Sequence, residues 1–281
     1  MELLRKAVPI TMLVFVVVSM LAVGSSLTIG QIVAPLRNGK LVFFALLANF
    51  VLMPAGALAI AKILRLDQSL GVALLLLGVA AGAPFLPKLA GIAKGNLAFA
   101  VGLMVLLMVL TVVYMPLVLP VLLEGVSVNP VKIALSLLLL MLLPLGGGLA
   151  LNARFGRIAE RLRAPLSRIS SLSLALLIVL LMVTNIQNVV DLFGTRGIFA
   201  SILFLFLGAG IGWLLGGPGL GTKGVLALGT AQRNIAAALV VGGEDFDPKV
   251  LVMIVVVAVV GLLILMPLAR VFGTRAAHTP A

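Results

Sequence analysis

Cysteine is absent from the chain, so disulfides and thiol chemistry are excluded and the redox compartment cannot be read from it. The one histidine, His278, sits in the C-terminal tail and cannot assemble a metal site, so no metal is expected. Acidic residues are scarce as well. All eight (Glu2, Asp67, Glu124, Glu160, Asp191, Glu244, Asp245 and Asp247) fall in loops or tails. The apolar segments therefore hold no carboxylate for a sodium site or a proton relay. Without intramembrane Asp, Glu, His or Cys the usual acid–base and metal catalysis has no groups to use, so the chain is not expected to be an enzyme. Nothing in it asks for a cofactor. Charge is sparse overall: 10% of residues are charged, against about 25% in soluble domains, which excludes a soluble domain.

What remains is apolar. Of the 281 residues, 63% are hydrophobic, enough for about nine helices of some 20 residues each. The formal charge of +12 would suit nucleic acid in a soluble protein. Here the basic residues sit mainly in short loops, which points to membrane topology, and no nucleic-acid partner is expected. Apolar segments fall near 8–28, 41–61, 69–93, 97–121, 131–151, 167–189, 197–215, 224–241 and 248–271. None alternates with a period of two, so these are nine helical spans of an all-α integral membrane protein. The basic start, Met1 to Lys6, resembles a signal sequence. The apolar stretch behind it runs on to Leu27, too long for a cleaved one, and reads as the first span.

Loop charge orients the spans. The five arginines Arg154, Arg157, Arg161, Arg163 and Arg168 dominate the count and place their loop in the cytoplasm. The N-terminus is then outside and, with nine spans, the C-terminus inside, in a cell (inner) membrane. The start of that loop has helical spacing and is a candidate surface helix for anionic lipid, although a plain positive-inside anchor explains it too. The run Gly216 to Gly221 reads as a tight turn. It lacks the strand and the Gly-Lys-Ser/Thr ending of a phosphate loop.

Two spans are interrupted. In 69–93, Pro84 and Pro87 remove backbone donors behind a run of small residues from Gly78 to Ala83, and Lys88 follows at once. In 224–241 there is no proline, but Gly229, Thr230, Gln232, Arg233 and Asn234 crowd together. No single helix face can hold them, so the helix unwinds there or the bundle surrounds it with polar partners. A charge at that depth costs about 2.5–3.5 kcal/mol on insertion scales. Arg233 is therefore either a site residue or a helix clamp, and Lys88 either faces the site or snorkels to the cytoplasm. Asn49, in the second span, is a further buried amide suited to joining helices. Broken spans carrying cations and amides favour an anionic substrate between two halves of a transporter. The candidate substrate-binding residues are Arg233, Asn234, Gln232, Thr230, Lys88 and Asn49. Gly82, Pro84, Pro87 and Gly229 are the crossing or hinge positions, and Phe85, Met104 and Met108 are candidate walls.

Several short stretches, in order, resemble the bile acid:sodium symporter family: Met20 to Thr28, Asn49 to Pro54, Leu77 to Gly82, Ala93 to Asn96, and Gln232-Arg233-Asn234 with the alanines behind it. The resemblance implies inverted repeats forming a core and a panel bundle, with two discontinuous helices crossing in the core. The panel would be spans 8–28, 131–151 and 167–189. The core would be 41–61, 69–93, 97–121, 197–215, 224–241 and 248–271. The chain also departs from the family pattern. The Pro-Gly-Gly of the first crossing falls on Ala81-Gly82-Ala83, and the Ser-Asn pair that helps bind sodium falls on Leu86 and Pro87. The hydroxyl ligands of the next helix fall on Ala100 and Met104, and the glutamate of the second crossing on Leu228 or Gly229. The Gln-Asn pair survives as Arg233-Asn234 or as Gln232 and Arg233, and the glutamine of the second span is Asn49.

The expectation is a secondary transporter of a small organic anion, working by alternating access within the lipid bilayer and without sodium. Lys88 and Arg233, aided by half-helix N-termini, would supply the positive charge at the crossing. Lys88, if desolvated beside Arg233, could also exchange a proton. A sodium-dependent symporter with displaced ion sites, and a non-transporting receptor on the same fold, stay open.

Overall fold

The computed structural model describes residues 2–33, 37–123, 129–244 and 246–277. His278, Glu124 and Asp245 lie outside the described residues. Fifteen α-helices follow one another with no strand among the described residues. They are α1 Glu2–Ser25, α2 Ile29–Val33, α3 Gly39–Leu47, α4 Met53–Ile63, α5 Gln68–Val79, α6 Leu86–Ile92, α7 Leu97–Leu122, α8 Pro130–Leu137, α9 Leu143–Arg154, α10 Gly156–Thr184, α11 Ile186–Gly194, α12 Gly197–Leu215, α13 Leu220–Ala231, α14 Ile235–Gly242 and α15 Pro248–Ala277.

Eight helical stretches are long and apolar enough to cross a membrane, with the α13–α14 stretch counted as one. The expected span 69–93 is split into α5 and α6, each too short to cross alone, and accounts for the ninth. The chain is an all-α integral membrane protein. The basic segment after Arg154, whose spacing predicts helix at its start, is helical after a break at Phe155 and runs without interruption into the sixth span as α10.

α3 and α4 form one span, joined by a wide turn at Ala48–Leu52, and α8 and α9 form another, joined at Leu138–Leu142. Proline explains both. Pro54 and Pro144 have no N–H to give to the carbonyls of Phe50 and Leu140, and the chain widens ahead of each.

Packing divides the helices. α1 runs along α9 and α10, while α12 lies along α13, and α5 contacts α4, α14 and α15. Small residues bring these backbones together. A Cβ on Gly148 would fall 2.5 Å from the Leu21 carbonyl oxygen, and one on Gly212 2.3 Å from that of Leu226. Between the α1–α8–α9–α10 group and the rest lies a cleft, closed at the end where α14 meets α1 and α8. There Glu244, just past α14, accepts from Lys132 Nζ (2.7 Å) and Ser136 Oγ (2.6 Å) of α8.

Candidate functional site

The polar residues singled out in the sequence form two adjoining structures, a sealed lock at the crossing and an open cavity beside it. Both begin with the breaks. α5 stops at Val79 and α6 starts at Leu86. α13 stops at Ala231 and α14 starts at Ile235. The second break is thus unwinding of the helix. The two breaks touch: Pro84 cannot donate to the Ala80 carbonyl four residues earlier, and the Asn234 N–H takes that oxygen at 2.9 Å. Gly82 lets the first break turn tightly. Its φ is +80°, and a Cβ there would lie 2.3 Å from Met108 N of α7. Gly229 sits against Leu86, so α13 and α6 also pass closely.

Each break leaves carbonyls without helical partners, and Arg233 collects them. Its guanidinium is 2% exposed. Nε donates to the Leu77 carbonyl (2.8 Å) and Nη2 to that of Gly78 (2.7 Å), both in the last turn of α5. Nη1 donates to the Thr230 carbonyl (3.1 Å), in the last turn of α13, and to Asn49 Oδ1 (2.7 Å). Nη2 also reaches the Asn49 carbonyl at 3.5 Å, an oxygen left free because Met53 N–H turns to Ala48 instead. Asn49 is held in turn, donating from Nδ2 to the Ala45 carbonyl (3.0 Å) and to Thr230 Oγ1 (3.3 Å). Every donor of the guanidinium is matched by a neutral oxygen, and three of those oxygens lie at helix C-termini, where the backbone dipole is negative. Arg233, Asn49 and Thr230 are therefore brought together, and Arg233 clamps α5, α13 and the wide turn.

Two residues that the sequence reading missed support this lock. Thr111 Oγ1 accepts from Ala81 N–H (3.0 Å) and donates to the Ala81 carbonyl (3.1 Å), pinning the first break to α7. Tyr114 donates its hydroxyl to the Phe50 carbonyl that Pro54 leaves free. They are the two polar side chains in the otherwise apolar α7, a signal the sequence did contain.

Asn234 does not join the lock through its side chain. Its Oδ1 caps α14 by accepting from Ala237 N–H (3.1 Å), and its Nδ2 has no protein partner. The N-termini of α6 and α14 open at the crossing, as expected, but so do the C-termini of α5 and α13, and Arg233 serves the latter pair.

Beside the lock is a cavity of about 540 Å³. Pro84, Phe85, Lys88, Gln232 and the edge of Arg233 form one wall. Ser19 of α1 and Ser167, Ser170 and Ser171 of α10 form the facing wall, and Val257, Leu262 and Met266 of α15 add an apolar side. None of the lining residues is acidic. Lys88 is exposed, its ammonium 5.0 Å from the Phe85 ring centroid, so the burial that proton exchange requires is not found at it. Gln232 is half-buried, with its Oε1 unpartnered. Of the expected walls, Phe85 lines the cavity. Met104 and Met108 are fully buried and pack under Gly82 instead. Among the described residues no group of His, Cys, Asp and Glu could hold a metal ion.

Comparison with known proteins agrees with this architecture. The family model described as "Sodium Bile acid symporter family" matches residues 12–192, which include the first break and stop short of α13. A curated relative is "Probable sodium/metabolite cotransporter BASS1, chloroplastic" of Arabidopsis thaliana, 24% identical over 233 residues, or 82% of this chain. The chain spans 58% of that relative's length. With the match covering more than half of its residues, the chain belongs to the sodium bile acid symporter family.

Proposed function

We propose that the protein is a secondary transporter of a small organic anion that works by alternating access and is not coupled to sodium. The observation that carries the reading is the acid-free cavity with Lys88 and Gln232 on its wall and the charge of Arg233 at its edge. Its volume lies within the roughly 300–1,000 Å³ of small-molecule sites. Its walls, apolar with a few polar groups, suit a carboxylate with an apolar body. The family and the relative's name support transport of a metabolite. Sodium coupling is disfavoured because the lock's oxygens are already taken by the guanidinium, and Leu86, Pro87, Ala100 and Met104, at the positions of the family's Ser-Asn pair and hydroxyl ligands, carry no side-chain oxygen.

On this reading Lys88 receives the carboxylate and Gln232 orients it, while Arg233, Asn49 and Thr230 hold the crossing rather than touch the substrate. Asn234 positions the start of α14. The α1–α8–α9–α10 group acts as the panel and rocks against the remaining helices about the crossing. The cavity opens to the cytoplasm, on the side of the arginines that begin α10, in a cell membrane with the N-terminus outside.

The test is thermal stabilisation of purified protein by a panel of small carboxylates, in sodium and in potassium. A carboxylate that stabilises equally in both salts, and loses its effect in Lys88→Gln but not in Lys88→Arg, is the expected result. Stabilisation that needs sodium supports a sodium-dependent symporter with displaced ion sites. The absence of any effect supports a receptor on the same fold.

A further inference from the structure

The arginine-rich start of α10 has a geometry that neither transport nor topology uses. α10 holds 29 residues, about 44 Å at roughly 1.5 Å per residue, against a hydrocarbon core of about 30 Å. About a third of it must stand in the headgroup region. The apolar run Leu172 to Val183 occupies the hydrocarbon, so the emergent third is the one carrying Arg157, Arg161 and Arg163, and Arg168, one turn below it, reaches the same depth by snorkelling toward the helix N-terminus.

At about 100° per residue, Arg157, Arg161 and Arg168 fall within an arc of about 40° on one side of the helix. Beside that arc Ile158, Leu162 and Ile169 are exposed, and the apolar strip continues through exposed Leu172, Leu176 and Val179. The cavity face, with Ser167, Ser170 and Ser171, lies on a different arc. Among the described residues none of these arginines forms an ion pair, and Glu160, the one acid nearby, lies off the stripe. A row of unpaired guanidiniums at headgroup depth, with an apolar track leading from it into the hydrocarbon, is complementary to one class of ligand.

We propose that α10 carries a binding site for an anionic phospholipid, its phosphate held between Arg161 and Arg168 with Arg157 drawing it from the turn above, and its acyl chain running from Ile169 along Leu172 and Leu176. A soluble polyanion would satisfy the arginines but leave the apolar track unused. The helix that grips the lipid also walls the cavity with its serine face, so a bound lipid restrains that wall. The site stands whether or not the protein transports an anion.

The test uses the purified full-length chain with phosphatidylglycerol, phosphatidylcholine or glycerophosphate, read by native mass spectrometry and thermal unfolding. Phosphatidylglycerol is expected to stay bound and to raise the unfolding temperature, and the other two to do neither. The triple variant Arg157→Gln, Arg161→Gln, Arg168→Gln should bind phosphatidylglycerol on the order of a hundredfold more weakly, from roughly 1 kcal/mol for each arginine near a membrane surface. The same three positions changed to lysine should retain most of the binding, and Arg163→Gln, off the stripe, all of it. Equal retention of phosphatidylcholine, an equal effect of glycerophosphate, or unchanged binding by the triple glutamine variant overturns the proposal. If that variant does not fold, Arg161→Gln alone decides, with about fivefold weaker binding expected and unchanged binding overturning the site.

Discussion

Replacing Arg233 with alanine tests the lock most directly. The side chain makes four hydrogen bonds of 2.7 to 3.1 Å and one longer contact of 3.5 Å, all to buried oxygens. Interhelical hydrogen bonds in membrane proteins average about 0.6 kcal/mol each and reach about 1.7. Taken at the average, the loss is about 3 kcal/mol. The stranded carbonyls add to it, since a buried acceptor left unmet costs about 1–3 kcal/mol. For a chain of this size, 3 kcal/mol corresponds to a fall of about 6–12 °C in unfolding temperature. Arg233→Lys should fall nearly as far, because one ammonium with three donors cannot span Leu77, Gly78, Asn49 and Thr230 together. The decisive arm is chemical rescue. Millimolar guanidinium, far below denaturing concentration, should restore part of the stability of Arg233→Ala and leave the native chain unaffected. The assay is thermal unfolding in detergent followed by size-exclusion chromatography. An alanine variant as stable as the native protein would refute the clamp and leave Arg233 free to hold the substrate.

Gly82→Ala should prevent folding or lower the unfolding temperature more than any other single change at the crossing. It combines a φ of +80° with a Cβ 2.3 Å from Met108 N, and normal expression would sink this reading. Thr111→Val keeps the shape but strips both bonds to Ala81, leaving a buried N–H and carbonyl unmet. A loss of about 1–3 kcal/mol is expected from thermal unfolding, and an unchanged midpoint would show that water replaces the hydroxyl. Glu244→Gln weakens the tie to Lys132 and Ser136 at the closed end of the cleft. Because the chain has no native cysteine, a single Met12→Cys placed beside Gly243 reports on that end. Its labelling by a membrane-impermeant thiol reagent should quicken several-fold with Glu244→Gln, and an equal rate in both backgrounds would deny the tie a role in closure.

Legibility in the sequence follows a physical line. Breaks are written locally: Pro84 and Pro87 announce the first through missing donors, and the crowding of Thr230, Gln232, Arg233 and Asn234 announces the second because no helix face can carry them. The nine apolar segments were likewise plain from length alone. The partners of Arg233 were not legible, because four of its five acceptors are backbone oxygens, and a carbonyl has the same identity at every position. Only the helix geometry says which carbonyls are orphaned. The helical spacing of the basic segment after Arg154 was legible, but its continuity with the next span was not. Dense charge marks the end of an apolar run, although a helix long enough to leave the hydrocarbon can carry charge on its emergent turns. Lys88 and Arg233 looked equivalent as cations beside breaks. What separates them is burial, which one residue pattern could not decide.

That separation bears on how the crossing is held together. Two half-helices end at the crossing with their C-termini inward, and their negative dipole ends, with a free carbonyl from the wide turn, need a cation. An arginine placed within the break itself meets that need permanently. Its fork is planar, stays charged and matches several acceptors at once, which a lysine on a neighbouring helix could not do. The consequence is that Arg233 has no donor left to offer a ligand. Its charge still biases the cavity edge toward anions, but the hydrogen bonds to a substrate must come from elsewhere. On the cavity wall, among the described residues, Lys88 and Gln232 are the groups close to the break whose polar atoms are not already committed to the protein. If the protein carries an anion, selectivity should therefore follow substitutions at Lys88 and Gln232, while those at Arg233, Asn49 and Thr230 should change stability first and transport only through it.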